Sequence, residues 1–197
     1  MPEIRYPDAT GGMDADSFAA FVEQLQRFVR DRLVPAEGEV IAQDKVPDDL
    51  LAEMRDMGLF GLTIPEEFGG AGFNIAQYVE TIRQLSYAMP AYRSVTSINI
   101  GMVCSALKKS GTPEQKAEWL PRLAAGDIAC FGLTEPGSGS DSAAMQTSAT
   151  KRGNGYVLNG SKRYITNAPF AKIGLIMART EKEAMPKNAH VSAFIID

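Results

Sequence analysis

The sequence predicts an α+β chain, with a helical bundle over residues 1–126 followed by an antiparallel β domain over residues 127–197. Three observations carry this. Up to Gly126 the apolar residues recur every three or four positions, the period of amphipathic helices. After Gly126-Asp127 they fall in short runs punctuated by Asn154-Gly155 and Asn159-Gly160, which are hairpin and turn dipeptides. The composition, 45% hydrophobic and 22% charged over 197 residues, is that of a globular protein whose core folds without staples.

The first helix is expected over Ser17 to about Val34, where Phe18, Phe21, Val22, Leu25, Phe28, Val29 and Leu33 form one stripe. Asp16 is its expected N-cap, and Pro35 lies near its end. A second helix is expected from Asp48 to Met57, with Leu50, Leu51, Met54 and Met57 on one side and Gly58 ending it. The stretch GLFGLTIPEEFGGAGF, with five glycines and Pro65, reads as a structured loop. Ile75, Val79, Ile82 and Leu85 mark a third helix. Val95 to Lys108 is apolar or small on nearly all sides and is expected to be the most buried helix. Thr112, Pro113 and Gln115 open a fifth in capping-box form, with Trp119, Leu120 and Leu123 inward.

In the second half, IACFGLT reads as a buried strand. SATKRGNGYVLNGSKRYIT reads as two strand-like halves around a tight turn, and KIGLIMART and VSAFIID as two further apolar strands. The last strand ends at Asp197 with no turn or polar tail, so the β domain is expected to be incomplete and the chain to be a fragment.

The formal net charge of −4 gives no basic footprint for nucleic acid. No apolar stretch approaches the roughly 20 residues that span a bilayer, and the acidic N-terminal region does not have the order of a signal or transit peptide, so a cytoplasmic, non-membrane protein is expected. Cys104 and Cys130 sit among apolar neighbours and read as buried thiols of a reducing compartment. The single histidine, His190, and scattered carboxylates make no ligand pair, so no metal is expected.

The densest cluster of chemistry is FGLTEPGSGSD, residues 131–141. Gly137 and Gly139 give G-x-G, but Ser142 breaks the dinucleotide fingerprint and no amphipathic helix follows. NGSK at 159–162 lacks the spacing of a phosphate loop. Glu135, just before Pro136 in a tight turn, reads more readily as an acceptor of local backbone N–H groups than as a catalytic base. A flavin suits the residue types better. Thr134, Ser140 and Thr166 supply hydroxyls for its polar edge and pyrophosphate, and Phe131, Leu133, Tyr164 and Ile165 supply an apolar wall. For any one of Phe131, Leu133 and Ile165, simple core packing is the commoner role.

LTEPGSGSD at 133–141, followed by NGSKRYITNA at 159–168, closely resembles the signature region of the acyl-CoA dehydrogenase family. GLFGLTIPEEFGGAG at 58–72 and KSGTPEQKAEWLPRLAAGDIACFGLTEP resemble further stretches of that family in the same order, so the resemblance covers almost the whole chain. It implies a homotetramer or dimer, one FAD per subunit, and three domains, of which a C-terminal four-helix domain is missing from this chain. It implies α,β-dehydrogenation of an acyl-CoA thioester, with electrons passed to an electron-transfer flavoprotein. It also implies that Phe131, Leu133 and Thr134 border the flavin, that Gly139 and Ser140 touch its pyrophosphate, and that Thr166 donates to N5. Ser140 and Asn188 would contact the acyl-CoA. Tyr164 stands where many members have tryptophan, which keeps an aromatic wall and adds a hydroxyl. No catalytic base is expected in this chain, because the glutamate that fills that role belongs to the missing domain. Acyl-CoA oxidases and flavin monooxygenases share the fold, and a catalytically silent partner subunit or a cofactor-free scaffold would keep it too.

Overall fold

The computed structural model describes residues 11–180 and 190–197, and the chain divides into two compact units at Asp127–Ile128. In the first unit the helices are α1 (Ala15–Phe28), α2 (Glu37–Gln43), α3 (Asp48–Asp56), α4 (Ile75–Leu85), α5 (Pro90–Ser97), α6 (Ser105–Ser110) and α7 (Pro113–Ala124). Helix α1 runs on through a widened i→i+5 turn, Val29–Leu33, and a second such segment, Ile98–Cys104, joins α5 to α6. Among the described residues no helix is long and apolar enough to cross a membrane.

Asp14, not Asp16, caps α1. Its carboxylate accepts from Ser17 N–H at 3.0 Å, a bond that holds its pKa below the ordinary value. Asp16 instead sits in the first turn, where the helix dipole favours an acid. Helix α2 escaped the sequence reading because it buries only Val40. Both α4 and α7 begin with reciprocal capping boxes, Asn74 with Gln77 and Thr112 with Gln115. Trp119, Leu120 and Leu123 of α7 are buried.

The stretch expected to be the most buried helix is not uniformly so, since Gly101 is exposed and Met102 is 45% exposed. The widened segment resets the helical phase there, and these residues rotate off the inward face. Of the residues that mark α4, Leu85 is buried and Ile82 half-buried, but the first two face outward. Ile75 and Val79 are 68% and 46% exposed, while Gln77, Thr81 and Gln84 are buried. Each buried polar group is engaged, as burial without a partner would be costly. Gln77 donates to Met13 O at 2.6 Å and accepts from Met13 N–H at 3.2 Å. Thr81 donates to Gln77 O at 2.8 Å, and Gln84 donates to Glu80 at 2.6 Å.

The glycine loop after α3 folds back on itself. Ala71, Gly72 and Phe73 N–H groups donate to Gly61, Ile64 and Leu62 carbonyls at 3.0, 2.9 and 2.7 Å. Lys108 braces it by donating to Thr63 O at 2.6 Å, and burial pushes that ammonium's pKa down. Cys104 and Cys130 are buried free thiols, and burial drives the pKa of Cys104 up to about 12.

The fully buried Tyr92 of α5 donates its hydroxyl to Leu33 O at 2.9 Å, at the end of the widened turn of α1. Tyr92→Phe leaves that carbonyl without its side-chain donor in an apolar setting. It is expected to cost about 1–2 kcal/mol in urea unfolding, with little change in the transition's slope.

In the second unit the strands are β1 (Ala129–Gly132), β2 (Ser148–Arg152), β3 (Gly155–Asn159), β4 (Ile173–Thr180) and β5 (Val191–Ile196). The sheet is mixed, which corrects the expectation of a purely antiparallel one. Strands β2–β3 and β4–β5 are antiparallel, but β1 and β2 both pair parallel with β4. Strand β5 follows one edge of β4 from Gly174 to Arg179. Strands β1 and β2 divide the other edge, at Ile173–Ile176 and Arg179–Thr180. Turn dipeptides report only hairpin neighbours, so the longer parallel crossovers left no local mark in the sequence.

Candidate functional site

The parallel pairing of β1 with β4 aims the end of β1 at the turn that follows it. Glu135 and Ser138 pair through both backbone groups, Glu135 N–H to Ser138 O at 2.9 Å and Ser138 N–H to Glu135 O at 3.2 Å. Ser138 Oγ donates to Asp141 O at 2.7 Å. The tip of this turn is open. Gly139 and Ser140 are exposed, and a Cβ added to Gly139 would meet nothing within 4 Å.

The inner side of the turn holds a buried carboxylate. Glu135 accepts from Gln146 N–H, from Thr147 N–H at 2.9 Å and from the Lys162 ammonium at 2.8 Å. Lys162 also donates to Leu133 O at 3.0 Å, and only 10% of its side chain and 5% of that of Glu135 reach solvent. Burial by itself would raise the Glu135 pKa. The Gln146 N–H, the Lys162 ammonium and Thr147 outweigh it and hold the acid at about 2. A carboxylate so spent is a poor proton acceptor near neutral pH.

Through these bonds the 160–168 loop is seated beside the turn. Arg163 N–H donates to Thr134 O at 2.8 Å, and farther along Asn167 donates to Ala129 O at 3.0 Å. Between these fastenings stand Tyr164, Ile165 and Thr166. Tyr164 has φ +58° and is 79% exposed, with the Arg163 guanidinium 4.6 Å from its ring centroid. A tyrosine in the left-handed region is strained by roughly 1–2 kcal/mol, and such strain concentrates at functional positions. Ile165 is half-buried and Thr166 exposed.

The structure therefore brings Leu133 and Thr134 together with the Tyr164–Thr166 segment. Phe131 lies half-buried on β1. Gly139 and Ser140 are carried on the same turn as Thr134, but no hydrogen bond joins Ser140 to residues 164–166. Asn188 lies outside the described residues. The hydroxyls of Thr134, Ser140 and Thr166 make no hydrogen bond among the described residues, so all three are unspent. Unspent hydroxyls beside an exposed aromatic on a fastened loop fit a flat, polar-edged ligand such as a flavin. Sequence reasoning missed Lys162 and the Gln146–Thr147 amides. Lys162 closes the NGSK stretch at 159–162, but its partner Glu135 lies 27 positions away, beyond any local spacing.

Residues 15–127 match the acyl-CoA dehydrogenase N-terminal domain, and residues 130–197 match the acyl-CoA dehydrogenase middle domain. An acyl-CoA dehydrogenase of Bacillus subtilis is 35% identical over 177 residues, covering 89% of this chain and 46% of its own length. The structure of butyryl-CoA dehydrogenase from Megasphaera elsdenii aligns with TM-score 0.85 and 30% identity, covering 94% of this chain and 50% of that one. A glutaryl-CoA dehydrogenase from Mycobacterium smegmatis in complex with FADH2 aligns with TM-score 0.81 and 33% identity, covering 93% and 46%. The chain spans about half the length of the relatives it matches. It belongs to the acyl-CoA dehydrogenase family, and it carries that family's N-terminal and middle domains.

Proposed function

We propose that this chain provides the flavin- and acyl-CoA-binding half of an enzyme that dehydrogenates acyl-CoA thioesters at the α,β bond, with FAD as cofactor. In this reading an electron-transfer flavoprotein would be the onward electron acceptor, and the working unit would be a homotetramer or dimer. The observation that carries the proposal is the fastening of Tyr164–Thr166 beside Thr134, with the threonine hydroxyls unspent. When bound, FAD supplies the two-electron acceptor that no side chain here can supply.

The chain's own residues bind and orient. Phe131, Leu133, Tyr164 and Ile165 would wall the ring, and burying that wall against it excludes water. The hydroxyls of Thr134 and Thr166 would donate to its polar edge, Thr166 to N5. Gly139 lets the backbone of the turn approach a pyrophosphate without a Cβ in the way, and Ser140 offers a hydroxyl there and to the acyl-CoA. Glu135 does not take the α-proton, because its carboxylate already holds two amides and an ammonium. The base is supplied by a segment other than the β unit.

Titrating the cofactor-free chain with FAD and following quenching of flavin fluorescence tests the reading. Saturable binding is expected. Thr166→Val, which keeps the shape and removes one donor, is expected to weaken it about tenfold, or roughly 1–2 kcal/mol. A chain that leaves flavin fluorescence unchanged overturns the proposal.

A further inference from the structure

We infer that Lys162 is a positioning residue, a clasp that sets where the Tyr164–Thr166 segment stands relative to Thr134. The inference rests on the flavin reading above for its consequence, though the geometry stands by itself. Three separate pieces of chain converge on the Glu135–Lys162 pair: the end of β1 through Leu133 O, the start of β2 through Gln146 and Thr147 N–H, and the loop through Lys162 itself. Thr147 also lies against the loop by close contact. A Cβ added to Gly160, at φ +155°, would fall 2.5 Å from Thr147 Oγ1, so the backbone of the loop lies directly on that residue.

Among the described residues, the other fastenings near the segment include a single backbone bond at Arg163 and the Asn167 amide at the far end. Lys162 is the charged one, and it is two residues from Tyr164. A buried ion pair is a poor choice for stability alone, because two well-packed apolar side chains often do as well or better. What an apolar pair cannot do is hold the Leu133 carbonyl and the Gln146 and Thr147 amides at fixed distances from one another. Binding at a site of this kind depends on geometry held to a fraction of an ångström. The pair therefore specifies loop position beyond whatever it adds to stability.

The test uses the full chain, with Lys162→Met and the double variant Glu135→Leu/Lys162→Met. Its readouts are the thermal midpoint without FAD, hydrogen exchange of the Arg163 amide without FAD, and the affinity and visible band shape of bound FAD. Lys162→Met is expected to lower the midpoint, expose the Arg163 amide to exchange, weaken FAD by about tenfold or more, and alter the flavin band. The double variant removes the unpaired charge and is expected to regain part of the midpoint, since the Gln146 and Thr147 amides still lack their acceptor, while the Arg163 amide stays fast and FAD stays weak. If regaining the midpoint also restores slow exchange, affinity and band shape, the pair is structural only and the inference falls. Should the wild-type chain bind no FAD, the flavin reading fails, and the Arg163 amide still decides the clasp on its own.

Discussion

Gly70→Ala unfolds the helical unit more easily by on the order of 4 kcal/mol. The added Cβ would stand 2.1 Å from the Ile64 carbonyl oxygen and 2.5 Å from both its carbon and the Ile64 Cβ. A flexible neighbouring side chain could swing away, but a backbone carbonyl cannot. That oxygen accepts from Gly72 N–H at 2.9 Å, and its neighbours in the fold-back accept from Ala71 and Phe73. Moving it disturbs three bonds at once and shifts Ile64 and Leu62, which are nearly or fully buried. The single tryptophan, Trp119, is buried in α7 of the same unit, so its fluorescence through a urea titration reads the loss. Gly38→Ala is the control, since a Cβ there meets nothing within 4 Å. Equal midpoints for the two variants would refute the steric argument.

Acid should remove a comparable amount from the β unit. The Glu135 carboxyl has a pKa near 2 in the folded chain, against an ordinary value of 4.5. The unfolded chain therefore binds that proton more readily than the folded one across this interval. The ion pair and amide bonds contribute fully above about pH 5, and the contribution fades as the pH falls from 4.5 through 2. Because the group is buried, the difference converts to on the order of 3 kcal/mol with little discount for solvent. Glu135→Gln should lower stability by about that much at pH 7 and by far less at pH 2. Hydrogen exchange of the Gln146 and Thr147 amides, both bonded to this carboxylate, measures it. A stability gap that does not narrow in acid would show that Glu135 is held by something other than its charge.

What could be read from the sequence was whatever depends on near neighbours along the chain. The Thr112–Gln115 box, the turn between β2 and β3 and the inward set of α7 are all local, and the structure has each of them. The Asn74–Gln77 box is equally local, and it opens the helix beside Ile75 and Val79, whose spacing suggests an inward face. Their exposure follows from a contact no window could show. Gln77 grips the backbone of Met13, 64 positions away, and this holds the polar side of the first turns of α4 inward. The widened turns were invisible for a different reason, since a change from i→i+4 to i→i+5 bonding leaves apolar spacing nearly as it was. At the site, the motifs marked Thr134, Ser140 and Thr166. The pairing of Glu135 with Lys162 spans 27 positions and two motifs read separately, so the clasp emerged only when the chain was folded.

The sharing of one edge of β4 between β1 and β2 has a consequence during biosynthesis. Strand β1 is apolar and mostly buried, yet among the described residues its ladder partner is β4, which begins about forty residues later. At about 5–20 residues per second, a ribosome leaves β1 without that partner for about 2–8 s. The β2–β3 hairpin closes within microseconds of emerging and must then also wait for Arg179 and Thr180. The last residues of β4 are thus the moment of commitment for the nascent sheet. Until they arrive, a chaperone or a neighbouring polysome has two unpaired strand edges to engage.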